Sequence, residues 1–170
     1  MQAPPPPGNE LERLFAKLSP IGLAALANPG IGPDAANSPR WRRAEIPAAN
    51  GHATALALAQ LYGAYAGRSA VLGAEQADRA RQGQGRCLDL VLGVPLGRES
   101  EFGLGVAPSG EEGIYGPNPR AFGFDGAGGS FGMCDPEAGL SMGYTMNMMG
   151  HHILNDPRKF DLIDAVYAAL

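Results

Sequence analysis

Near the C-terminus, Leu140, Met142, Tyr144, Met146 and Met148 alternate with Ser141, Gly143, Thr145 and Asn147. A period of two puts all of these large apolar side chains on one face of a strand. Such a strand requires a neighbour beside it and a cover over its oily face. The neighbour precedes it as Gly129–Cys134, joined through Asp135-Pro136-Glu137-Ala138-Gly139. That connection has proline at a turn's second position and glycine where positive φ is needed. The cover follows. Asp156 caps a helix with Pro157 at its first position, and Leu162, Ile163, Val166, Tyr167 and Leu170 form one stripe. The end of the chain therefore reads as a hairpin with a helix lying on its oily face.

Upstream the pattern is mixed. Pro4–Pro7 predicts an extended, disordered tail over residues 1–8, and residues 9–170 read as a single unit. Asn9 with Glu12 opens a short helix, Glu10–Leu18, which Ser19-Pro20 ends. Ile21–Ala27 is apolar enough for another. Proline and glycine pairs then predict irregular chain over residues 28–50. Asn50 is the expected cap of a helix Gly51–Ala66 with Leu58, Leu61, Tyr62 and Tyr65 on one face and Gly67 just past its end. A polar helix is expected at Ala74–Gln82. Cys87–Leu92, Phe102–Ala107 and Ala121–Asp125 are the remaining candidate strands.

Composition narrows the function. The net charge is −4, with 13 Lys and Arg against 17 Asp and Glu, which argues against a nucleic-acid-binding surface. No apolar run reaches the roughly 18 residues of a membrane helix, and the N-terminus lacks the basic and apolar regions of a signal peptide. No membrane partner is expected, and a cytoplasmic location is the expectation for this chain. Cys87 and Cys134 are too few for a disulfide framework or a four-ligand zinc site, and read as two buried thiols.

The most unusual segment is Phe122-Gly123-Phe124-Asp125-Gly126-Ala127-Gly128-Gly129-Ser130. A phosphate loop would need a following helix and a Gly-Lys-Ser/Thr ending, whereas a strand follows here. Two readings stay open from the residues alone: a glycine-rich strand edge packed against something, or a strand whose backbone must approach a substrate closely.

Several blocks occur in a fixed order: Trp41-Arg42-Arg43-Ala44-Glu45-Ile46-Pro47-Ala48-Ala49-Asn50-Gly51-His52, the Leu/Tyr-faced helix, Gly126-Ala127-Gly128-Gly129-Ser130-Phe131-Gly132 with Asp135-Pro136-Glu137, Tyr144-Thr145-Met146-Asn147, and Asp156-Pro157-Arg158. Together they resemble the C-terminal part of the beta-lactamase-related serine hydrolases, a family of class C beta-lactamase-like esterases and penicillin-binding-protein-like enzymes. The resemblance runs over roughly residues 20–170. It implies an α/β (α+β) architecture, a partial beta-lactamase/transpeptidase-like fold with an antiparallel sheet, helices on both faces and the N-terminal half missing.

The same resemblance implies an active site of three parts: a Ser-x-x-Lys nucleophile, a Tyr-x-Asn or Ser-x-Asn base, and a third wall on a strand edge. No serine of this chain has lysine three residues on, and no Tyr-x-Asn or Ser-x-Asn occurs. Only the third wall remains, as Phe124, Asp125 and Gly126, with the Ala127 N–H implied as a donor to the oxyanion. Related esterases often carry histidine at the place of Phe124, so this wall lacks a side-chain donor. No complete catalytic set, metal site or cofactor is expected.

The implied function is acyl transfer to water from an ester, a β-lactam or a D-amino-acid peptide in the full-length context. This chain would be a catalytically incomplete C-terminal fragment. The alternative is a non-catalytic binding or structural module derived from the same fold. His52 suits a packing or capping role better than that of a base, His151 and His152 with Asp156 read as loop residues before a metal site, and Arg40, Arg42 and Arg43 form a small basic cluster around Trp41. In the resembling fold, N-terminal strands lie beside the 140–149 strand. The expectation is that this edge associates with a second copy or with a complementing N-terminal half.

Overall fold

The computed structural model describes residues 10–28, 30, 34–67, 71–93, 97 and 99–170. The proline tail and the Asn9 cap lie outside the described residues. The helices are α1 (Glu10–Phe15), α2 (Pro20–Ala27), α3 (Pro39–Arg43), α4 (Ala55–Tyr65), α5 (Ala74–Arg81) and α6 (Pro157–Tyr167). The strands are β1 (Arg86–Leu88), β2 (Glu99–Glu101), β3 (Ala107–Pro108), β4 (Phe122–Asp125), β5 (Phe131–Asp135) and β6 (Leu140–Tyr144). β1 and β2 form a separate antiparallel ribbon, and β3-β4-β5-β6 form the main sheet in sequence order, all antiparallel. Among the described residues no helix is long and apolar enough to cross a membrane.

The register of the β5–β6 hairpin assigns the two faces of the sheet. Phe131 opposes Tyr144, Met133 opposes Met142 and Asp135 opposes Leu140. Alternation puts these residues on the face that α6 covers. There Phe131, Met133, Tyr115, Ala121 and Ile163 form a buried cluster, with Leu140, Met142, Tyr144, Leu162 and Tyr167 packed against it. The tail helix thus lies where the sequence places it, capped by the Asp156 carboxylate, which accepts the Arg158 N–H at 3.0 Å. The opposite face carries Gly132, Cys134, Ser141 and Gly143, and α4 lies across it. The two glycines make room. A Cβ on Gly132 would enter the Tyr62 ring, and one on Gly143 would meet the Ala55 carbonyl and the Leu58 side chain. Tyr62 is buried there with Val106, Phe122 and Cys134.

Several elements depart from expectation, each for a local reason. α4 begins at Ala55 rather than Gly51 because Thr54 is its cap, accepting the Ala57 N–H at 3.1 Å. Asn50 does other work: its side chain donates to the Trp41 carbonyl at 2.9 Å and to that of Ala44, and accepts from Ile46 N–H at 3.1 Å. Leu61 is exposed, because the face of α4 against the sheet runs through Leu58, Tyr62 and Tyr65. Ser19 not only follows α1 but caps α2, accepting the Gly22 N–H at 3.0 Å. β1 stops at Leu88 because the Asp89 carboxylate turns the chain, accepting from Val91 N–H at 2.7 Å and Leu92 N–H at 3.1 Å. Of the glycine-rich 102–107 segment only Ala107 is strand, opening β3 with Pro108, since the Gly103 N–H folds back onto the Val106 carbonyl at 2.7 Å. β6 ends at Tyr144, so Met146 leaves the sheet and Met148 is exposed. Cys134 is buried but Cys87, in the exposed ribbon, is not.

The hairpin turn is organised by Asp135. Its buried carboxylate accepts the N–H groups of Glu137 at 2.9 Å and Ala138 at 3.0 Å, the Asn118 amide at 2.5 Å, and the Tyr167 hydroxyl from α6. Burial alone would raise its pKa. The hydrogen bonds from Tyr167, Ala138, Asn118 and Glu137 more than reverse this and hold it below the usual carboxylate value. Tyr167 is raised in turn, by burial first and then by its bond to Asp135. A lowered folded-state pKa stabilises above the unfolded value, and that stabilisation is lost as pH falls through the folded one. Asp135→Asn is therefore expected to lower stability at neutral pH and to flatten the loss of stability below about pH 4. Urea unfolding across a pH series measures this; an unchanged acid limb would refute it.

Candidate active-site wall

β4 carries the segment that the resemblance implies as an active-site wall. Alternation along it divides the candidate residues between the two faces. Phe124 opposes Gly132 on the α4 side, whereas Asp125 opposes Phe131 on the α6 side. Phe124 is 41% exposed and its ring lies 6.0 Å from that of Phe102, itself 42% exposed. The two rings form an apolar lip. β3 pairs with β4 only at Phe122 and Gly123, so among the described residues the outer edge at Phe124 and Asp125 has no strand beside it.

The Asp125 side chain turns away from that lip into a polar lock. The Lys159 ammonium, 1% exposed, donates to both Asp125 oxygens at 2.9 and 3.2 Å and to the Asn155 amide oxygen at 2.8 Å. The Asn155 N–H donates to Asp125 at 2.7 Å, with Asn155 in the left-handed region at φ 55°. The rings of Tyr115 and Phe160 lie 4.7 and 4.6 Å from the ammonium. Lys159 is thus held on the far face from Phe124, and its charge is matched by Asp125.

The strand then turns. Gly126 donates to the Ser130 carbonyl at 2.6 Å, and the Gly129 N–H returns to the Gly126 carbonyl at 3.1 Å. Gly128 takes φ 89°, the third position of a type II turn, which requires glycine. A second segment clamps the turn from behind: Gly128 N–H donates to the His152 carbonyl at 2.9 Å, and Gly150 N–H to the Gly128 carbonyl at 2.7 Å. Arg158 completes the clamp, donating to the carbonyls of Gly128 at 2.7 Å and Met148 at 3.1 Å while paired with Asp156 at 2.7 Å. The hydrogen bond from Arg158 is the main cause holding the Asp156 carboxyl below its ordinary value, and the same bond raises Arg158. Ala127 is exposed at the tip, and among the described residues its N–H meets no acceptor.

The other candidates lie elsewhere. The Ser130 hydroxyl donates to the Met146 sulfur at 2.6 Å, with no titratable base against it among the contacts described. His52 is exposed with Nδ1 2.8 Å from the Asn50 carbonyl. His151 and His152 flank the clamp, and no cluster of metal-ligating side chains occurs among the described residues. Arg40, Arg42 and Arg43 lie on α3. Lys159 and Arg158, which hold the wall in place, were not singled out by sequence as positioning residues. An acidic residue in a strand flanked by buried apolar positions was the available signal, since a buried carboxylate requires a partner.

A four-stranded antiparallel sheet with helices on both faces and a glycine-rich turn at one strand end is an α+β arrangement of the beta-lactamase/transpeptidase-like kind. The Beta-lactamase family model matches residues 16–163. Among solved structures, the chain is similar to a family VIII carboxylesterase (37% identity, TM-score 0.80), a penicillin-binding protein homolog from Caulobacter crescentus (39%, 0.77) and EstA from Arthrobacter nitroguajacolicus Rue61a (28%, 0.69). The matches cover 90%, 90% and 88% of this chain but 42%, 41% and 41% of those chains, so this chain spans about two fifths of their length. No curated protein matches. The chain belongs to the beta-lactamase family, and its fold is that of the beta-lactamase-related serine hydrolases.

The lock yields a direct test. Lys159→Ala leaves the Asp125 carboxylate buried without its cation, at an expected cost of about 3–5 kcal/mol. Replacing both by apolar residues of similar volume, Asp125→Leu with Lys159→Met, is expected to cost much less. Chemical denaturation of the single and double variants checks this. Equal losses would show that the pair does not act as a unit.

Proposed function

We propose that this chain supplies the third wall of a serine-hydrolase active site that transfers the acyl group of a neutral ester to water. The supporting observation is the β4 edge and its turn: a strand end with, among the described residues, no strand on its outer side, an exposed Ala127 whose N–H meets no acceptor there, and a hydrogen-bonded clamp behind it. In this reading the Ala127 N–H donates to the carbonyl oxygen as negative charge develops there. Phe124 and Phe102 receive the apolar part of the substrate. Because Asp125 matches the Lys159 charge on the far face, the wall offers an anionic substrate no counter-charge. That favours an ester over a carboxylate-bearing β-lactam or D-amino-acid peptide. The similar structures include both a carboxylesterase and a penicillin-binding protein homolog, so the choice rests on the charge argument.

The chain by itself is catalytically incomplete in this reading, because its 170 residues contain neither Ser-x-x-Lys nor Tyr-x-Asn. Removing a nucleophile and its base costs on the order of 10⁶ in kcat. The purified chain is expected to hydrolyse neither p-nitrophenyl butyrate nor nitrocefin, and to resist labelling by a fluorophosphonate. Turnover that survives Ser130→Ala, or labelling at any serine, would overturn this.

The complementing half would dock at β6 in the same reading. β6 has β5 on one side and, among the described residues, no strand on the other, while Leu140, Met142 and Tyr144 are only half-buried. An open edge of this kind pairs with another chain. The isolated chain is expected to self-associate through it, and Thr145→Lys, exposed just past the strand's end, to reduce that association. Sedimentation velocity reads the outcome. A compact monomer with slow amide exchange along residues 140–149 would refute it.

A further inference from the structure

We propose that the groove between the C-terminal end of α5 and the start of β4 binds a small organic carboxylate with an apolar body. The groove has a volume of about 430 Å³, within the range of small-molecule sites, and lies at the opposite end of β4 from Ala127. Phe122, Pro108 and Pro119 line it together with two arginines, Arg81 and Arg120.

Arg81 is the unusual member. Its side chain is 12% exposed, and its guanidinium lies over the Phe122 ring at 5.6 Å. One terminal nitrogen, Nη2, pairs with Asp78 one turn back along α5. The other, Nη1, is buried and has no hydrogen-bond partner among the described residues. A buried guanidinium nitrogen with nothing to donate to is costly, and such groups mark a place where an acceptor belongs. Burial, with Arg120 as the next cause, pushes the Arg81 guanidinium below its ordinary value. Arg120 is 62% exposed and meets Glu137 at 3.8 Å, a loose surface pair that is readily exchanged.

An anion seated between the two guanidiniums answers both features. A small turn of the Arg81 head gives Nη1 an acceptor, and the repulsion between the arginines is relieved. A carboxylate suits the planar fork of arginine. Asp78 in the lining and Glu137 beside Arg120 disfavour a dianion such as phosphate, and the two prolines with Phe122 favour an apolar body behind the carboxylate. This inference is independent of the acyl-transfer reading of the Ala127 end.

Titration of the isotope-labelled chain with sodium benzoate, followed by ¹H–¹⁵N NMR, tests it. Saturable shifts at Arg81, Arg120, Ala121 and Phe122 are expected in the millimolar range, with no saturable response to benzamide or to inorganic phosphate. Arg120→Ala, at an exposed position that leaves folding intact, is expected to weaken benzoate about tenfold. Arg81→Lys, which keeps the charge but not the fork, is expected to weaken it too. The proposal is overturned by absence of saturable shifts at these residues, by an equal response to benzamide or phosphate, or by wild-type affinity in Arg120→Ala.

Discussion

The ion pair between Lys159 and Asp125 joins the first turn of α6 to the end of β4, and the rest of the wall is arranged around it. Both side chains are almost fully buried, at 1% and 6% exposure, and Asn155 and the rings of Tyr115 and Phe160 contact the pair. A buried pair contributes little net stability compared with apolar residues of the same shape, but separating it is expensive. It therefore acts mainly as a specifier. α6 cannot slide along the hairpin without stranding a charge, and Arg158, the residue before Lys159, is thereby delivered to the carbonyls of Gly128 and Met148.

That delivery matters because the β4–β5 turn has little side-chain bulk of its own. Gly126, Ala127, Gly128 and Gly129 have almost no side-chain surface to pack, so their positions are set by backbone hydrogen bonds and by Arg158. The result is a glycine-rich turn that is locally permissive yet fixed by its neighbours. In the proposed reading this combination suits an oxyanion donor, whose N–H must point to one place without a bulky side chain in the way. The same geometry decides the character of the wall. The two-residue period of β4 sends Phe124 to the open lip and Asp125 to the lock, so adjacent residues of one motif have separate tasks.

Much of this was legible in the sequence where the signal is local. The β5–β6 hairpin, its Asp-Pro turn and α6 follow from alternation, turn chemistry and a capped helical stripe, and the structure reproduces them. The resemblance that placed the chain among beta-lactamase-related hydrolases rests on blocks that the family match also covers. Boundaries were less legible. Thr54 displaced Asn50 as the cap of α4, and Asp89 ended β1 early, because side-chain-to-backbone hydrogen bonds a few residues away compete with the periodic pattern.

Periodicity and turn residues, then, determined the β5–β6 hairpin, α4, α5 and α6, since these depend on neighbours within a few positions, but not α3, which lies where the pattern reads as irregular chain, or β2, which lies outside the candidate strands. Only the tertiary structure decided that Asp125 meets Lys159, 34 residues on, that Arg158 holds the Gly128 carbonyl, and that Arg81 and Arg120 face one groove. Those pairings depend on which elements the hydrophobic faces bring together and at what register. Charge and hydrogen bonding select among the arrangements that burial allows, and no short stretch of sequence contains both partners of such a choice.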